Sequence, residues 1–327
     1  MGERAVSAPL GPADVAARAE AVVREVGRAV VGKRELLDHI MATVLAGGHV
    51  LFEDYPGLAK TLIAQSFATA LGLGFRRIQF TPDLLPGDIT GGYIFDRTRG
   101  EFELHRGPIF ANIVLADEIN RASPKTQSAL LEAMQEQQVT LEGETLSLPE
   151  PFLVMATQNP IEYEGTFPLP EAQLDRFLIR LKVGYPSPDE EREILKRRRE
   201  RRADAFRLER VMDGETLLAM QASVEDIYLD PDLEGYIVDL VQRTRRDSRV
   251  AVGASPRGSL ALLKLARARA ALDGRHYVLP DDIKEFAGPA LVHRLILNPD
   301  LWLQSDAAEQ VLEAIVATTA VPVVGGT

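Results

Sequence analysis

The chain has 327 residues, no cysteine and a formal net charge of −11. A chain of this length exceeds what one hydrophobic core usually organises, so two domains are expected. The lack of cysteine excludes disulfides, thiolate metal sites and cysteine nucleophiles, and it fits a reducing compartment. The N-terminus has no signal-peptide core, and nowhere do about eighteen apolar residues run uninterrupted, so we expect a cytoplasmic protein without a membrane span.

The acidic balance argues against a nucleic-acid partner, because affinity for a phosphate backbone depends on clustered Lys and Arg. One basic run, Lys196 to Arg202 (KRRRERR), follows Asp189, Glu190 and Glu191 in a predicted helix. Charges three or four residues apart on a helix can pair. We therefore interpret the run as part of a solvated connecting helix.

The N-terminal region is predicted to contain two helices. The first twelve residues, with two prolines, are predicted to lack regular structure. Asp14 is predicted to cap the first helix, and the second helix ends at Gly47-Gly48. An apolar strand, Val50 to Phe52, follows at once.

The stretch Val50 to Thr61 (VLFEDYPGLAKT) has the layout of a phosphate-binding loop: a strand, a Pro-Gly turn and a helix that starts at Lys60. In such loops backbone N–H groups surround phosphate oxygens, a Lys reaches the outer phosphates and a hydroxyl ligates Mg²⁺. The usual pattern has glycine where this chain has Asp54 and Ala59, so Gly57 must supply most of the freedom of the turn. For this stretch alone, a buried strand before an exposed helix start is the alternative.

A strand and a hairpin are predicted after the helix that follows this loop. Residues 75–80 (FRRIQF) alternate as a strand does. Between Pro82 and Gly107, Pro and Gly break helix, and two short runs flank the turn from Asp96 to Gly100. We predict a β-hairpin inserted in a helix-rich region.

A second anchor is the apolar run Ile113 to Ala116, predicted as a strand buried on both faces of a parallel sheet and followed by Asp117 and Glu118. In open α/β sheets ligands bind at the carboxyl ends of strands, where these acids and the phosphate loop both fall. Asp117 would hold the water shell of Mg²⁺, and Glu118 would deprotonate the attacking water. Two solvated carboxylates at a strand end are the alternative.

A helix from Ser123 to Gln137, a hairpin at about 138–148 and a strand from Phe152 to Ala156 are predicted next. Asn159 follows that strand, where a neutral amide can position water beside a γ-phosphate. A turn-forming Asn before Pro is the alternative for this residue.

Arg176 stands among packing residues beside Asp175. It can form a surface ion pair of little energetic weight, or it can be an arginine finger that neutralises charge during phosphoryl transfer in a neighbouring subunit. The following strand, Leu178 to Val183, completes five apolar strands that alternate with helices. This pattern predicts an α/β three-layer domain.

From Pro186 onward strand signals fade, and a linker with a charged helix precedes a small domain of periodic helices. Asp281 and Asp282 are predicted to cap one helix, and Ser255 another. Arg257 lies in the first turn of the helix capped by Ser255, where a cation is disfavoured. It should therefore face an anion, either a nearby carboxylate or a nucleotide phosphate.

Five segments together resemble the MoxR family of AAA+ ATPases: EDYPGLAKT, VLADEINRA, MATQNP, EGTFPLPEAQLDRF and ASPRG. The similarity covers roughly residues 28–300, and NPIEYEGTFPLPEAQLDRF separates this family from AAA+ proteins at large. In this family the first and last glycines of the phosphate loop are often replaced, as they are here by Asp54 and Ala59.

The resemblance implies a P-loop AAA+ domain, α/β with a five-stranded parallel sheet, followed by a small helical lid. It implies a flexible N-terminus at 1–12, the core at 13–185, a charged linker at 186–213 and the lid at 214–327. Within the core it implies a helix-2 insert at about 82–107 and a presensor-1 hairpin at about 138–148.

The resemblance also implies roles for single residues. Asp117 and Glu118 form Walker B, Asn159 is sensor 1, Arg176 is the trans finger and Arg257 is sensor 2. Arg121 would reach across the subunit interface. The implied ligands of Mg²⁺ are Thr61 and Asp117. The implied nucleotide-binding residues, including the segment that borders adenine, are Val31, Gly32, Tyr55, Pro56, Gly57, Leu58, Ala59, Lys60, Thr61 and Leu62.

ATP and Mg²⁺ as cofactors and a homo-oligomer, expected as a hexameric ring, follow from the same resemblance. Such proteins commonly work with a partner that carries a von Willebrand factor A domain, in protein maturation or metal-cofactor insertion. The leading hypothesis is therefore an ATP-driven ring that remodels a protein client.

Two alternatives remain: an ATP-gated scaffold with little hydrolysis, and a DNA-handling AAA+ motor. The complete acid pair and arginine set argue against the scaffold. The acidic balance, and a second hairpin without basic residues, argue against the motor.

Overall fold

The computed structural model describes residues 10–159, 165–302, 304 and 306–322. Residues 1–9 of the predicted flexible N-terminus lie outside the described residues. So do residues 160–164 of the family segment.

The first part of the chain combines one sheet, two hairpins and seven helices among the described residues. In chain order these elements are α1 (Pro12–Ala29), α2 (Arg34–Leu45), β1 (Val50–Glu53), α3 (Lys60–Ala70), β2 (Phe75–Gln79), α4 (Pro86–Thr90), β3 (Gly91–Asp96), β4 (Glu101–Arg106), β5 (Ile113–Asp117), α5 (Pro124–Glu136), β6 (Gln138–Leu141), β7 (Glu144–Ser147), β8 (Leu153–Gln158), α6 (Glu171–Leu174), β9 (Ile179–Leu181) and α7 (Pro188–Arg201). A short 3-10 helix, Ile119–Arg121, follows β5.

The five-stranded sheet is parallel, with the strand order β2-β5-β8-β1-β9, as the pattern of apolar strands predicts. Its central strands are buried on both faces. Ile113 and Leu115 of β5 face one apolar core, and Val114 and Ala116 face the other. The first core contains α1, α2 and α3, and the second contains residues of α4 and α5. The three-layer prediction is confirmed.

Both predicted hairpins are present. In β3–β4, Gly91 lies opposite Arg106, and in β6–β7, Gln138 lies opposite Ser147. Gly91 has a φ of 83°, and a Cβ there would lie 2.0 Å from a backbone oxygen of β4, so only glycine fits. The pairing therefore depends on one glycine as well as on the turn residues.

The C-terminal helical region packs on α1 and α2 and shares their apolar core. Its elements are α8 (Gly214–Glu225), α9 (Pro231–Arg246), β10 (Val250–Val252), α10 (Pro256–Leu272), α11 (Pro280–Leu291), β11 (Ile296–Leu297) and α12 (Ala307–Thr318), with 3-10 turns at Val292–Arg294 and Pro299–Leu301. The antiparallel pair β10–β11 corrects the all-helical prediction, because strands of two or three residues are too short to show alternation.

Two predicted helix caps are wrong in detail. The first helix begins at Pro12, with Gly11 as its N-cap, so Asp14 lies in the first turn. Proline suits the first helical position because the backbone N–H it lacks would have no partner there. In α11 the N-cap is Leu279, and Asp282 accepts its N–H at 2.7 Å from inside the helix. Asp281 does not occupy the cap position.

None of the helices in the described parts of the chain combines the length and the apolar character needed to cross a membrane.

Candidate active site

The loop between β1 and α3 turns sharply just before Lys60. Gly57 has a φ of 83°, and Ala59 has a φ of 58°, in the left-handed region. Ala59 is the N-cap of α3 and offers no side-chain acceptor to the first turn of that helix. The backbone N–H groups at this end of α3 are therefore suited to an anionic ligand.

Lys60 is turned toward the loop. Its Nζ donates to the carbonyl oxygens of Asp54 and Tyr55, both at 2.7 Å. Burial lowers the pKa of Lys60, and the nearby carboxylates of Asp54, Asp117 and Glu118 oppose that shift. The ammonium is thus held between the loop carbonyls and the acids of β5.

Asp54 ties the loop to the chain beyond β9. This carboxylate is only 6% exposed, and it accepts the N–H of Tyr55 at 2.8 Å and the N–H of Gly184 at 2.6 Å. Next to these bonds the rings of Tyr55 and Tyr185 stack with their centroids 6.0 Å apart. The residue that replaces a loop glycine therefore anchors the loop.

Thr157 of β8 positions the two acids at the end of β5 through hydrogen bonds to both residues. The Thr157 hydroxyl donates to Asp117 Oδ1 at 2.6 Å and accepts the N–H of Glu118 at 2.8 Å. Asp117 Oδ2 accepts from Arg77 Nη2 at 2.7 Å. Glu118 has a φ of 56°, so the chain turns sharply where the strand ends.

The Glu118 carboxylate has two donors within its own chain. Its Oε2 accepts from Gln79 Nε2 at 2.7 Å and from Arg121 Nη1 at 2.9 Å. Arg77, Gln79 and Thr157 also belong to this site, although no motif in the sequence marks them. The alternation in FRRIQF puts residues 77 and 79 on one face, but only the pairing of β2 with β5 brings them to the acids.

The loop, both acids and two of their partners, Arg77 and Thr157, line one cavity of about 410 Å³, which we call the loop cavity. Its lining residues are Asp54, Pro56, Gly57, Leu58, Ala59, Lys60, Thr61, Leu62, Arg77, Asp117, Glu118, Thr157, Gln158 and Asn159. The structure thus brings the predicted loop, both acids and Asn159 together. Asn159 is 8% exposed, and its backbone oxygen accepts from Asn120 Nδ2 at 3.4 Å.

The oxygen atoms of Thr61 and Asp117 suit Mg²⁺, which usually takes one or two carboxylates together with phosphate and water oxygens. No group of three or more His, Cys, Asp or Glu side chains in the described residues could hold a metal alone. The donor set therefore fits a metal that arrives with a phosphate ligand.

A second cavity, of about 350 Å³, adjoins the first and shares Gly57, Leu58, Ala59 and Leu62 with it. Its other lining residues are Ala29, Val30, Val31, Lys33, Val183, Gly184, Pro186, Ile194, Arg197, Arg198, Arg201 and Phe206. Val31 thus lies where a base could bind beside the loop. Gly32 does not line this cavity, and a Cβ on it would lie 1.7 Å from Glu190 Oε1.

The basic run proves to be more than a solvated helix face. Its residues pair as predicted, for example Arg197 with Glu193 at 2.9 Å. However, Arg197 Nη1 also donates to the backbone oxygen of Gly27 at 2.9 Å, and α7 forms one wall of the second cavity. The sequence could not show this, because it depends on how α7 folds back over α1.

Arg176 and Arg257 lie together in a third cavity, of about 210 Å³, which we call the arginine cavity. Its lining residues are Met134, Gln135, Asp175, Arg176, Leu178, Arg257, Leu260, Ala261, Lys264 and Arg294. None of the described residues that line the loop cavity lines this one.

Ser255 caps α10 as predicted, and its hydroxyl accepts the N–H of Arg257 at 3.1 Å. The nearby carboxylate of Asp175 is bound to Arg294 and Ser255. Among the described residues, neither Arg176 nor Arg257 has an ion-pair partner. The anion expected opposite Arg257 is therefore not supplied by the described part of its own chain.

Comparison with known proteins agrees with this geometry. The model of the ATPase family associated with various cellular activities (AAA) matches residues 49–179, and that of the AAA lid domain matches residues 242–315. The chain is similar to the uncharacterised protein YeaC of Bacillus subtilis, at 50% identity over 92% of this chain and 94% of YeaC. It is also similar to Chaperone MoxR1 of Mycobacterium tuberculosis, at 45% identity over 93% of this chain and 82% of that protein.

Among solved structures, the crystal structure of a candidate ATPase from Cytophaga hutchinsonii matches with a TM-score of 0.89 and 39% identity. The match covers 95% of this chain and 97% of that one. With extensive identity to MoxR1, both AAA matches and a cavity formed by a phosphate loop and two acids, this chain belongs to the MoxR family of AAA+ ATPases.

Proposed function

We propose that this AAA+ ATPase hydrolyses ATP at the interfaces between neighbouring copies in a hexameric ring and uses the energy to remodel or mature a protein client. One observation carries the proposal. The phosphate loop and acids line one cavity, whereas the two candidate catalytic arginines line another cavity of the same chain. A complete site then needs the loop cavity of one copy and the arginine cavity of the next.

In the loop cavity, Lys60 would exchange its two carbonyl acceptors for the outer phosphates of ATP. Thr61 and Asp117 would hold Mg²⁺, which when bound neutralises charge on the phosphate oxygens. Glu118 would take a proton from the attacking water, and Asn159 would orient that water.

The second cavity would receive the base. Val30, Val31 and Ile194 supply apolar surface, and the cavity is continuous with the loop through shared residues. A flat aromatic base buries apolar area in such a site, while the triphosphate reaches the N-terminus of α3. These features support ATP as the substrate.

The arginine cavity would act on the nucleotide of the adjacent copy. Arg176, Arg257 and Lys264 place three cations around one small cavity. Guanidinium groups bind phosphate oxygens with good geometry, so a neighbouring triphosphate would supply the missing anion. Arg176 would stabilise charge that develops during phosphoryl transfer, and Arg257 would bind the same phosphates.

Hydrolysis has a direct route to the two hairpins. The 3-10 helix after Glu118 leads into α5, and α5 leads into the hairpin β6–β7. The Thr126 hydroxyl of α5 donates to the backbone oxygen of Leu84 at 2.7 Å, close to the start of α4 and the hairpin β3–β4. A shift of α5 would therefore move both hairpins.

The hairpins also offer surface to a client. The Tyr93 hydroxyl of β3 donates to Glu144 of β7, so the hairpins are linked. Phe95 and Phe102 pair across β3–β4 and are 50% and 69% exposed. Exposed aromatic side chains of this kind commonly mark protein contact sites.

Membership of the MoxR family supports a partner with a von Willebrand factor A domain. Co-purification with the Glu118→Gln variant, with and without ATP, should retain client and partner together in the ATP-bound ring. Capture that does not depend on ATP would contradict a nucleotide-driven cycle.

The decisive experiment is the Arg176→Ala variant. Loss of an arginine finger costs about 10³- to 10⁵-fold in turnover, so steady-state phosphate release should nearly vanish while nucleotide binding persists. Mixing with Lys60→Ala subunits should restore activity. At a mixed interface the Arg176→Ala subunit contributes an intact loop cavity, and the Lys60→Ala subunit contributes Arg176. Arg246→Ala, at an exposed arginine of α9, is the matched control. Wild-type hydrolysis by Arg176→Ala, or mixtures that stay inactive, would refute the shared site.

A further inference from the structure

The segment that carries Arg176 is fastened to the C-terminal helical region by one buried arginine. The Arg294 side chain is 3% exposed, and its Nε donates to Asp175 Oδ1 at 2.7 Å. Arg294 ends the 3-10 turn that follows α11. The pair therefore joins residues far apart in the chain, directly beside Arg176.

Arg294 also binds the backbone on both sides of Arg176. Its Nη2 donates to the carbonyl oxygen of Asp175 at 3.3 Å and to that of Phe177 at 2.7 Å. Its Nη1 donates to the carbonyl oxygen of Leu178 at 3.3 Å. The guanidinium thus fixes the backbone from 175 to 178, while the Arg176 side chain reaches the arginine cavity.

Asp175 extends this connection to Arg257. Its Oδ2 accepts from the hydroxyl of Ser255 at 2.8 Å. That hydroxyl in turn accepts the N–H of Arg257, because Ser255 is the N-cap of α10. One carboxylate therefore connects the backbone of Arg176 with the first turn of the helix that presents Arg257.

His293 reinforces the same segment. Its Nε2 lies 3.1 Å from the carbonyl oxygen of Phe177, and the ring is buried. Burial, together with the adjacent Arg294 cation, holds the pKa of His293 well below its ordinary value, so the ring is neutral and donates one N–H to that carbonyl. Two neighbouring side chains thus hold one short backbone segment.

We propose that Asp175 and Arg294 are positioning residues that hold Arg176 and Arg257 as one rigid unit for the nucleotide of the neighbouring copy. This inference rests on the proposed function. Desolvating a buried ion pair costs free energy, so such a pair is weak evidence for a role in stability. We therefore assign Asp175 and Arg294 a role in positioning. Misplacing a catalytic group by about 1 Å can cost a hundredfold in rate, which gives such a pair a clear purpose.

The test is Asp175→Asn, which keeps the shape of the side chain but accepts properly from only one of its two donors. Asp282→Asn is the matched control. Asp282 is buried, whereas Asp175 is half-buried, and Asp282 binds Arg275 at 2.7 and 2.9 Å in the same helical region without lining the arginine cavity. Asp175→Asn should lose about tenfold to a hundredfold in phosphate release, whereas Asp282→Asn should stay within about twofold of wild type.

Mixing separates positioning from general damage. Asp175→Asn subunits keep an intact loop cavity, so nucleotide affinity should be unchanged and Lys60→Ala subunits should restore hydrolysis. Arg294→Lys decides the question if Asp175→Asn does not fold. Lysine keeps the charge, but its single ammonium cannot reach three carbonyl oxygens at once. We therefore expect a loss of phosphate release that is smaller than that of Asp175→Asn and that mixing restores in the same way.

Wild-type hydrolysis by Asp175→Asn would overturn the inference, and so would a loss that mixing does not restore. Arg176→Ala, measured in parallel, identifies which idea fails. If Arg176→Ala is fully active, the proposed function itself is wrong. If it is inactive and rescued while Asp175→Asn is fully active, only the positioning role is wrong.

Discussion

In the loop cavity the acids are held by side chains of their own chain, whereas in the arginine cavity the two candidate catalytic cations have no such partner among the described residues. Asp117 binds Arg77 and Thr157, and Glu118 binds Gln79 and Arg121. In the arginine cavity the bonds go instead to the backbone that carries the cation. The loop cavity fixes its functional side chains directly, whereas the arginine cavity fixes the backbone that carries them.

The difference indicates how each region would change when it binds a ligand. Lys60, Glu118 and Asp117 must exchange existing partners for phosphate, water or metal. The side chains of the loop cavity are therefore in position, but their hydrogen bonds are made within the chain until a ligand binds. Arg176 and Arg257 have no ion pair with any described residue to give up when a phosphate arrives. Assembly should therefore complete the arginine cavity, while nucleotide binding should rearrange the loop cavity.

The largest expected effect inside the loop cavity is that of Glu118→Gln. General-base catalysis contributes about 10²- to 10⁴-fold, so phosphate release should fall by that factor. Nucleotide affinity should persist, because the amide oxygen can still accept from Gln79 and Arg121. Glu313→Gln, at an exposed position of α12, is the control. Hydrolysis at the wild-type rate would show that Glu118 is not the general base, and the loop cavity would then lack the catalytic group assigned to it.

Two buried histidines with lowered pKa values predict a loss of stability in acid. His49 accepts the N–H of Val154 through Nδ1 at 3.0 Å, and burial lowers its pKa to about 4. The pKa of buried His293 is also lowered. Because the unfolded chain binds these protons more readily, stability is full above pH 6.5 and falls as the pH drops below that value.

Denaturant titrations at pH 7.5, 6 and 5 measure this effect. The lowered pKa of His49 alone should reduce the free energy of unfolding by about 1.4 kcal/mol for each pH unit below 6.5, or by roughly 3 kcal/mol at pH 4. Replacing His49 or His293 with Asn should reduce the slope, whatever the variant does to stability at pH 7.5. A single transition would show that the two regions unfold together. An unchanged slope in both variants would contradict the neutral, buried state of these rings.

Asp54→Gly restores the glycine of the usual phosphate-loop pattern, yet it should destabilise this protein. The variant loses the bonds from the N–H groups of Tyr55 and Gly184, and bonds to a charged group contribute about 1.5–3 kcal/mol each. We expect the free energy of unfolding to fall by about 3 kcal/mol, the lower end for two such bonds, measured by denaturant titration. A stability equal to or above that of wild type would show that the loop cavity does not depend on its own carboxylate.

Much of the fold could be predicted because the strands of a parallel sheet are continuous apolar runs, and the polar residues at their ends mark the site. Lys60, Asp117, Glu118 and Asn159 could be placed together on that basis. Arg77 and Gln79 could not, because their role depends on β2 lying beside β5, and the order of strands is not written in a local pattern.

The arginine cavity was harder to predict for a similar reason. The sequence predicts Arg176 and Arg257 as candidate cations, but their shared cavity depends on how the C-terminal helical region packs. The contribution of Arg294 depends on a contact between residues 119 positions apart. Motif spacing carries no information about such a contact, whereas burial of a charged side chain reveals it at once.

The smallest expected effect is that of Ala59→Gly, the second change toward the usual pattern. Ala59 already adopts the left-handed conformation, with a φ of 58°, at a cost of about 1–2 kcal/mol that glycine would not pay. Glycine also gains about 0.4–1 kcal/mol of entropy in the unfolded chain, so the net gain in stability should stay within about 1 kcal/mol. Nucleotide affinity, measured by titration, should change by less than about twofold, since the turn already has its shape before the ligand binds. The two glycine variants should thus act with opposite signs on stability. A large gain in affinity for Ala59→Gly would mean that the methyl group obstructs the phosphates, and the loop cavity would then be less well formed than its hydrogen bonds indicate.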